Sequence, residues 1–197
     1  ELAANQNNSR AQLNLGYIYY KGKYVSRDIK KAFYYFSLAV NQNSSVAQVI
    51  FGFIYYNGVD VQRSINKSIY YFTLAANQNH PEAQYMLGYI YYYERKYFSL
   101  DIKKVIYYFT LSANRNNSKS QCMLGYIYYE GKYVLRDVKK AVHYFTLAAN
   151  KNHSEAQHML GYIYSEGKYV PREIKKAIYY FTLAANQNNS EAQYNLG

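Results

Sequence analysis

The chain has few of the residues on which many folds depend. Its 197 residues include one cysteine, two prolines and no tryptophan. The single cysteine, Cys122, excludes an internal disulfide and a cysteine-rich metal cluster, and it favours a reducing compartment such as the cytoplasm. The two prolines, Pro81 and Pro171, leave long stretches that helices can occupy. No apolar run reaches the roughly 18 residues of a membrane-spanning helix, so we expect no membrane span in this segment.

Acidic residues are also scarce. Twelve Asp and Glu stand against 23 Lys and Arg, which gives a formal net charge of +11. A charge of this sign favours an anionic partner such as nucleic acid, a membrane surface or an acidic protein. Repetition of one basic cluster along the chain would produce the same charge without such a partner.

A single sequence unit recurs along the whole chain. Its leading glycine returns every 36 residues, with one interval of 37, at Gly16, Gly52, Gly88, Gly125, Gly161 and Gly197. A fixed period of this size is typical of solenoids, in which each repeat contacts only its neighbours. The period predicts the end of a preceding helix at 1–8, five repeats at 9–44, 45–80, 81–117, 118–153 and 154–189, and the start of a sixth at 190–197.

The opening ELAANQN matches TLAANQN inside later repeats, so we expect the segment to be a window of a longer array. The first and last helices would then lack neighbours for their apolar faces. Because arrays need polar terminal repeats to stay soluble, we expect the isolated segment to self-associate through these uncapped ends or to fray there.

Each repeat is predicted to form two helices, which we call helix A and helix B. Serine is a favoured helix cap, and we expect it to begin helix A at Ser9, Ser45, Ser118, Ser154 and Ser190, with Pro81 in its place once. A glycine, as at Gly167, is expected to end helix A. Helix B is predicted to begin at Asp28, Ser64, Asp101, Asp137 and Glu173. It ends in asparagine-rich text, and asparagine tolerates the left-handed conformation that terminates helices.

The fifth repeat illustrates which side chains we expect to be buried. The helix A stripe follows the 3.6-residue period and comprises Ala156, Leu160, Ile163 and Tyr164. The helix B stripe comprises Ile174, Ala177, Ile178, Phe181, Ala184 and Ala185. Gly161 lies beside the first stripe, where a missing side chain lets helix B approach closely.

With these residues in place, the unit resembles the Sel-one-like repeat, a relative of the tetratricopeptide repeat. The fifth repeat matches at Leu160-Gly161, Tyr164, Gly167, Val170, Lys176-Ala177, Tyr180 and Ala184-Ala185. The resemblance covers the whole chain. It departs from the pattern in the third repeat, where Glu94-Arg95 replace the second glycine, and we expect a slightly longer loop there.

The resemblance implies an all-α, right-handed solenoid of antiparallel helix pairs, a superhelix with helix A on its concave face. It also implies an adaptor or scaffold in signalling or protein quality control. On the helix, residues at i, i+4 and i+7 opposite the buried stripe share one face. The predicted partner-binding residues on this face are Tyr17, Tyr20, Phe53, Tyr56, Tyr85, Tyr89, Tyr92, Tyr126, Tyr129, His158, Tyr162 and Tyr194.

Two interpretations of this tyrosine-rich face stay open. Tyrosine supplies rigid contact area for recognition at low entropic cost. The rings can equally well pack against one another and against neighbouring copies of helix A.

A basic edge at the start of helix B offers an alternative surface, for nucleic acid or another anion. Its residues are Lys30, Lys31, Lys103, Lys104, Lys139, Lys140, Lys175 and Lys176. The competing interpretation is a solvated helix face.

No pattern in the sequence indicates catalysis or a bound cofactor. The four histidines, which include His158, show no metal-ligand spacing with cysteine or aspartate. No serine–histidine–aspartate pattern or glycine-rich phosphate loop is present. The sequence therefore predicts a non-enzymatic scaffold without a metal or cofactor, which binds a protein or peptide along helix A. Binding of nucleic acid or another anionic surface through the basic edge is the alternative.

Overall fold

The computed structural model describes residues 2–94, 96–97 and 99–197, and every regular element within them is a helix. Arg95, one of the two residues that replace the second glycine in the third repeat, lies outside the described residues. The helices are α1 (Leu2–Asn5), α2 (Ser9–Lys21), α3 (Ile29–Asn41), α4 (Ser45–Asn57), α5 (Ile65–Asn77), α6 (Pro81–Tyr93), α7 (Ile102–Ala113), α8 (Ser118–Glu130), α9 (Val138–Ala149), α10 (Ser154–Glu166), α11 (Ile174–Ala185) and α12 (Ser190–Leu196).

Helices that are consecutive in the chain pack in pairs. Helix A packs on helix B of the same repeat in the pairs α2–α3, α4–α5, α8–α9 and α10–α11. Helix B packs in turn on the next helix A, as α9 does on α10. The predicted all-α solenoid of helix pairs is thereby confirmed. None of the described helices is both long and apolar enough to cross a membrane.

The helices form two compact units. The first extends to Ile90 within α6 and also contains Lys96 and Tyr97. The second contains Tyr91 and the rest of the described chain. Phe36 and Phe51 anchor a core cluster of the first unit, and Phe145 and Leu160 belong to a core cluster of the second.

The leading glycine of the repeat lies directly against a phenylalanine of helix B. A Cβ atom placed on Gly125 or Gly161 would come within 2.6 Å of the ring of Phe145 or Phe181. These rings are buried, and no side chain larger than hydrogen fits between ring and helix. The predicted close approach of helix B at this glycine is confirmed.

Most helix ends follow the predicted residue types. The second glycine of the repeat is left-handed, with φ between 64° and 67°, at Gly22, Gly58, Gly131 and Gly167. Asparagine has a positive φ at the end of each helix B, at Asn7, Asn43, Asn79, Asn116, Asn152 and Asn188. Asp28, Ser64, Asp101 and Asp137 cap helix B through their side chains, whereas Glu173 makes no such bond.

The predicted serine caps of helix A are wrong by one residue. Each serine is the first helical residue, and the residue before it is the cap. Asn8, Asn117 and Asn189 accept the amide hydrogen three residues on at 2.9 Å. The longer asparagine side chain reaches that amide from just outside the helix, so the serine needs no capping role.

Two residues of the predicted helix B stripe are exposed in the fifth repeat, namely Ile174 and Ile178. The equivalent Val138 and Val142 of the fourth repeat are packed in its core cluster. The helix that follows also differs, because α12 contains seven residues whereas α10, which follows α9, contains 13. Self-association through these exposed residues stays a prediction.

Replacing Gly125 with alanine should lower the free energy of unfolding by about 1–3 kcal/mol, because the added methyl overlaps Phe145. Urea denaturation measures this change. The matched control is Gly197→Ala, where the nearest atom is 3.9 Å away. In the double variant Gly125→Ala with Phe145→Leu, the loss of unfolding free energy should be smaller than the sum of the losses in the two single variants. The smaller leucine side chain relieves the overlap with the added methyl. Strict additivity would contradict the contact.

Replacing His153 with asparagine should stabilise the chain by about 1 kcal/mol near neutral pH. His153 occupies the cap of α10 but forms no side-chain cap bond, unlike the asparagines that cap α2, α8 and α12. Burial also lowers the pKa of His153 below its ordinary value. Protons then bind preferentially to the unfolded chain as the pH falls below about 6.5, so histidine at this position costs stability in acid.

The gain from His153→Asn should therefore be larger at about pH 5 than at about pH 7.5 in urea denaturation. His143→Asn, at an exposed position within α9, is the control and should give no gain. If the urea midpoint of His153→Asn equals that of the unmodified chain, the missing cap bond does not destabilise this repeat.

Candidate functional site

The predicted partner-binding residues of helix A come from three positions of the repeat, and we call the residues at each position, one per repeat, a row. The first row contains Leu13, Val49, Tyr85, Cys122, His158 and Tyr194; the second contains Tyr17, Phe53, Tyr89, Tyr126 and Tyr162; the third contains Tyr20, Tyr56, Tyr92, Tyr129 and Ser165.

Much of the first row is buried, which corrects its placement on an open face. Val49, Cys122 and His158 are almost inaccessible, and His158 is only 7% exposed. His158 packs on the ring of Phe181, 5.8 Å between centroids. Burial raises the pKa of the Cys122 thiol to about 12, with a further contribution from Glu155. Tyr85 is half-buried, and Tyr194 of α12 is exposed.

The second row is packed on one side and open on the other. Phe53 meets Phe72 at 5.2 Å and 86°, and Tyr126 meets Phe145 at 5.2 Å and 85°. These are the phenylalanines that contact the leading glycines. Tyr17 and Tyr162 remain 43% and 37% exposed. The second row therefore packs against the core, as one interpretation expects, and also leaves part of each ring at the surface, where a partner can contact it.

The third row lies at the carboxyl end of helix A. Tyr20, Tyr56, Tyr92 and Tyr129 are all half-buried. The guanidinium of Arg63 lies 5.3 Å from the ring centre of Tyr56, within the range of a cation–π contact. Burial raises the pKa of Tyr129 above its ordinary value. Tyr20 has the equivalent contact, with the guanidinium of Arg27 at 5.7 Å.

A pocket of about 190 Å³ opens between α2 and α4 in the first unit. Three predicted partner-binding residues line it, Tyr17, Tyr20 and Phe53. Val59 and Asp60 complete its rim, and Asp60 forms an ion pair of 2.9 Å with Arg27. The apolar rings and Val59 make this pocket suited to an apolar side chain.

The second unit has a pocket of about 220 Å³ at the equivalent position, between α8 and α10. Tyr129 and Tyr162 stand where Tyr20 and Phe53 stand in the first pocket. Glu166 and Lys168 replace Asn57 and Val59, so this pocket presents charges of both signs. The two units thus share a pocket position but differ in its chemistry.

A polar cluster joins α8, α10 and α12 in the second unit. The hydroxyl of Tyr126 donates to Oε1 of Glu155 at 2.6 Å. The pKa of Tyr126 is raised well above its ordinary value, first by burial and then by this hydrogen bond. Ligand atoms of Glu155, His158 and Glu191 all lie within 4.8 Å of one another. Within the described residues, these three are the group whose geometry can hold a metal ion.

Some lysines of the predicted basic edge contact tyrosine rings within their own repeat. In every repeat the lysine three residues after the helix B cap lies over a helix A tyrosine, and that tyrosine stacks on another from helix B. In the fourth repeat, Lys140 lies 4.9 Å from the ring centre of Tyr128, which stacks on Tyr144 at 5.9 Å and 5°. The five stacks are Lys31–Tyr19–Tyr35, Lys67–Tyr55–Tyr71, Lys104–Tyr91–Tyr108, Lys140–Tyr128–Tyr144 and Lys176–Tyr164–Tyr180.

The first lysine of each pair stays on the surface, as Lys30, Lys103, Lys139 and Lys175 do. The neighbouring arginines are engaged by contrast. Arg63 donates to the carbonyl of Tyr56 at 2.9 Å, and Arg172 donates to that of Ser165 at 3.0 Å. These bonds satisfy carbonyls that the end of helix A leaves unpaired.

The structure also exposes an aromatic row on helix B that the sequence reasoning missed. Tyr34, Tyr70 and Tyr179 are each 59% exposed and Tyr107 is 58% exposed. The Tyr-Tyr doublet of the repeat is the relevant signal, because adjacent helical residues point in different directions. The second tyrosine of each doublet stacks inward, and the first faces solvent.

Comparisons with known proteins agree with this architecture. A family model described as the Sel1 repeat matches residues 9–44, 45–80, 81–117, 118–153 and 154–189. The chain is 33% identical to a Sel1 repeat protein from Oxalobacter formigenes, covering 94% of this chain and 76% of that one, with a TM-score of 0.87. No curated protein sequence matches this chain.

Two further structures are similar. A protective antigen of uropathogenic Escherichia coli strains that displays an SLR fold is 28% identical, covers 99% of this chain and has a TM-score of 0.87. The match spans 42% of that antigen's length. A Sel1 repeat protein from Klebsiella pneumoniae is 17% identical over 99% of this chain and 94% of its own, with a TM-score of 0.61, and indicates the fold alone.

Proposed function

This chain belongs to the Sel1 repeat family, whose members generally serve as protein-interaction scaffolds, and we propose that it is a non-enzymatic scaffold that binds an extended protein segment on helix A. The binding residues are those of the second and third rows, together with Tyr85 and Tyr194 of the first. His158 lies too deep to add contact area. A role in signalling or protein quality control belongs to the same proposal.

The pocket between α2 and α4 carries the proposal. Its volume of about 190 Å³ exceeds the roughly 150 Å³ that hold a benzene ring in an apolar cavity. One large apolar side chain of a partner therefore fits between Tyr17, Tyr20 and Phe53. Because edge-to-face contacts with buried rings hold Tyr17 and Phe53, little side-chain entropy is lost on binding.

The shape of the partner follows from the pocket positions. Each pocket lies between the A helices of adjacent repeats, and packed helices are about 8–10 Å apart. An extended chain advances about 3.3 Å per residue, so about three residues separate contacts on successive helices. An extended segment thus contacts successive repeats through about every third residue, without folding of its own.

The two pockets also support selectivity. The first would take an apolar residue, whereas Glu166, Lys168 and Arg136 give the second pocket a preference for a polar or charged residue. A partner that places the wrong residue in either pocket leaves a buried group unpaired.

A display library of random peptides, selected on the whole chain, tests the assignment. Peptides enriched on the unmodified chain should carry a large apolar residue, and Val59→Glu should weaken them at least about tenfold. Val59 lines the pocket rim and is exposed, so its replacement leaves the core intact. Tyr34→Ala, on the solvent face of helix B, is the matched control and should leave binding unchanged.

A swap variant makes the test sharper. Val59→Lys introduces the residue that the second pocket carries as Lys168. Selection on this variant should replace the apolar anchor with aspartate or glutamate. Identical peptides from both selections, or equal affinities for Val59→Glu and the unmodified chain, would remove the helix A pocket from the proposal.

The exposed aromatic row favours a second candidate, single-stranded nucleic acid bound on helix B. Lys30 and Tyr34, Lys103 and Tyr107, and Lys175 and Tyr179 are exposed pairs four residues apart on one helix face. Cations that contact phosphates and rings that stack on bases are the combination used by single-strand binders.

This candidate predicts that binding to a fluorescent oligonucleotide weakens steeply with salt. Combined Tyr34→Ala, Tyr107→Ala and Tyr179→Ala substitutions should weaken it further at fixed salt. Binding that is insensitive to both changes would exclude the helix B surface.

A further inference from the structure

We propose that Glu155, His158 and Glu191 form a binding site for a divalent transition-metal ion such as Zn²⁺, which joins the A helices of the fifth and sixth repeats. The proposal is independent of peptide binding and concerns the second unit alone.

The repeat itself brings the three residues together. Glu155 and His158 are three residues apart on α10, so they project from the same face. Glu191 occupies on α12 the position that Glu155 occupies on α10, 36 residues earlier. Packing of α12 beside α10 places this second carboxylate opposite the histidine.

The distances suit a metal with modest movement. Bonds of about 2.0–2.2 Å to nitrogen and oxygen place the ligand atoms of a tetrahedral site about 3.3–3.6 Å apart. Nδ1 of His158 and Oε2 of Glu191 are already 3.4 Å apart, and all three ligand atoms lie within 4.8 Å. The side chain of Glu191 is 69% exposed, so it can move toward the other two without disturbing the core.

His158 supplies an independent reason to expect a ligand. Its side chain is buried, and Nδ1 is inaccessible to water and makes no hydrogen bond, with Oε2 of Glu191 as its polar neighbour at 3.4 Å. Buried polar atoms of this kind ordinarily have a partner. An ion between Nδ1 and the two carboxylates would be such a partner and would offset the charges of Glu155 and Glu191.

Surrounding groups already orient two of the ligands. Tyr126 donates to Oε1 of Glu155 at 2.6 Å, and Asn189 donates to Oε2 at 3.4 Å. The side-chain amide of Asn195 lies 3.3 Å from Nε2 of His158. With a metal on Nδ1, Nε2 carries a proton, and the Asn195 amide accepts that proton only if it rotates and gives up the 2.8 Å hydrogen bond that its nitrogen donates to the carbonyl of Glu191. Outer partners of this kind fix the orientation of metal ligands.

The donor set indicates the class of ion. One imidazole and two carboxylates suit Zn²⁺ and its first-row neighbours, whereas Mg²⁺ and Ca²⁺ prefer oxygen ligands throughout. The combination occurs at one pair of neighbouring repeats. At the same three positions, the fourth and fifth repeats have Lys119, Cys122 and Glu155. The third and fourth repeats have Glu82, Tyr85 and Lys119.

Isothermal titration of the untagged chain with Zn²⁺ tests the site. We expect one saturable equivalent, with binding weakened at least about tenfold by Glu191→Gln. Glu82→Gln, at the same repeat position but with Tyr85 where Glu155 has His158, should bind as the unmodified chain does. His143→Gln controls for an exposed imidazole and should also bind normally. Mg²⁺ at the same concentration should give no binding heat.

Thermal unfolding supplies a second measurement. Zn²⁺ should raise the unfolding temperature of the unmodified chain and of Glu82→Gln but not that of Glu191→Gln. An ion pair between His158 and Glu191 without a metal would give no saturable Zn²⁺ binding at micromolar concentration. That outcome, or equal Zn²⁺ binding by Glu191→Gln and the unmodified chain, would overturn the proposal.

Discussion

The contact between a glycine of helix A and a phenylalanine of helix B sets the geometry of the first, second, fourth and fifth repeats. At Gly52 a Cβ would come within 2.5 Å of the Phe72 ring, and the same pairing recurs in the fourth and fifth repeats. The ring fills the space between the two helices and fixes how closely they approach. It also packs nearly perpendicular to the second-row aromatic ring, so the same phenylalanine builds the repeat and orients its surface.

Each repeat therefore presents two different surfaces on a common core. Helix A carries half-buried rings and, between neighbouring repeats, pockets whose lining changes from Val59 to Lys168. Helix B carries exposed tyrosines beside exposed lysines. The stacked lysine–tyrosine–tyrosine sets join helix A to helix B of the same repeat. Variation at pocket positions changes what is bound without changing the core, because the glycine and phenylalanine lie elsewhere in the repeat.

Local patterns in the sequence predicted most of the fold. The helix pairs, the left-handed Gly167 and the close approach at Gly161 all follow from short-range signals in the repeat. The helix A caps were placed one residue late, because serine and asparagine are adjacent and both can cap. The burial of His158 was missed because it depends on Phe181, a residue of the following helix.

The candidate sites were less predictable for the same physical reason. The pocket beside Phe53 and the cluster of Glu155, His158 and Glu191 form between repeats, so their residues come from different units of the sequence. Spacing within one repeat reveals a face but not what the next repeat adds to it. Gln157 illustrates the point: it is fully buried and donates to the carbonyl of Ala149, in the preceding helix.

The central claim, that a partner lies on helix A, is tested most directly by site-specific photocrosslinking. A benzophenone amino acid is placed at Phe53 on helix A or at Tyr70 on helix B of the same repeat, and the chain is irradiated with a peptide selected on the unmodified protein. The account predicts a crosslinked product from position 53 and little from position 70. A product from position 70, with none from position 53, would contradict it.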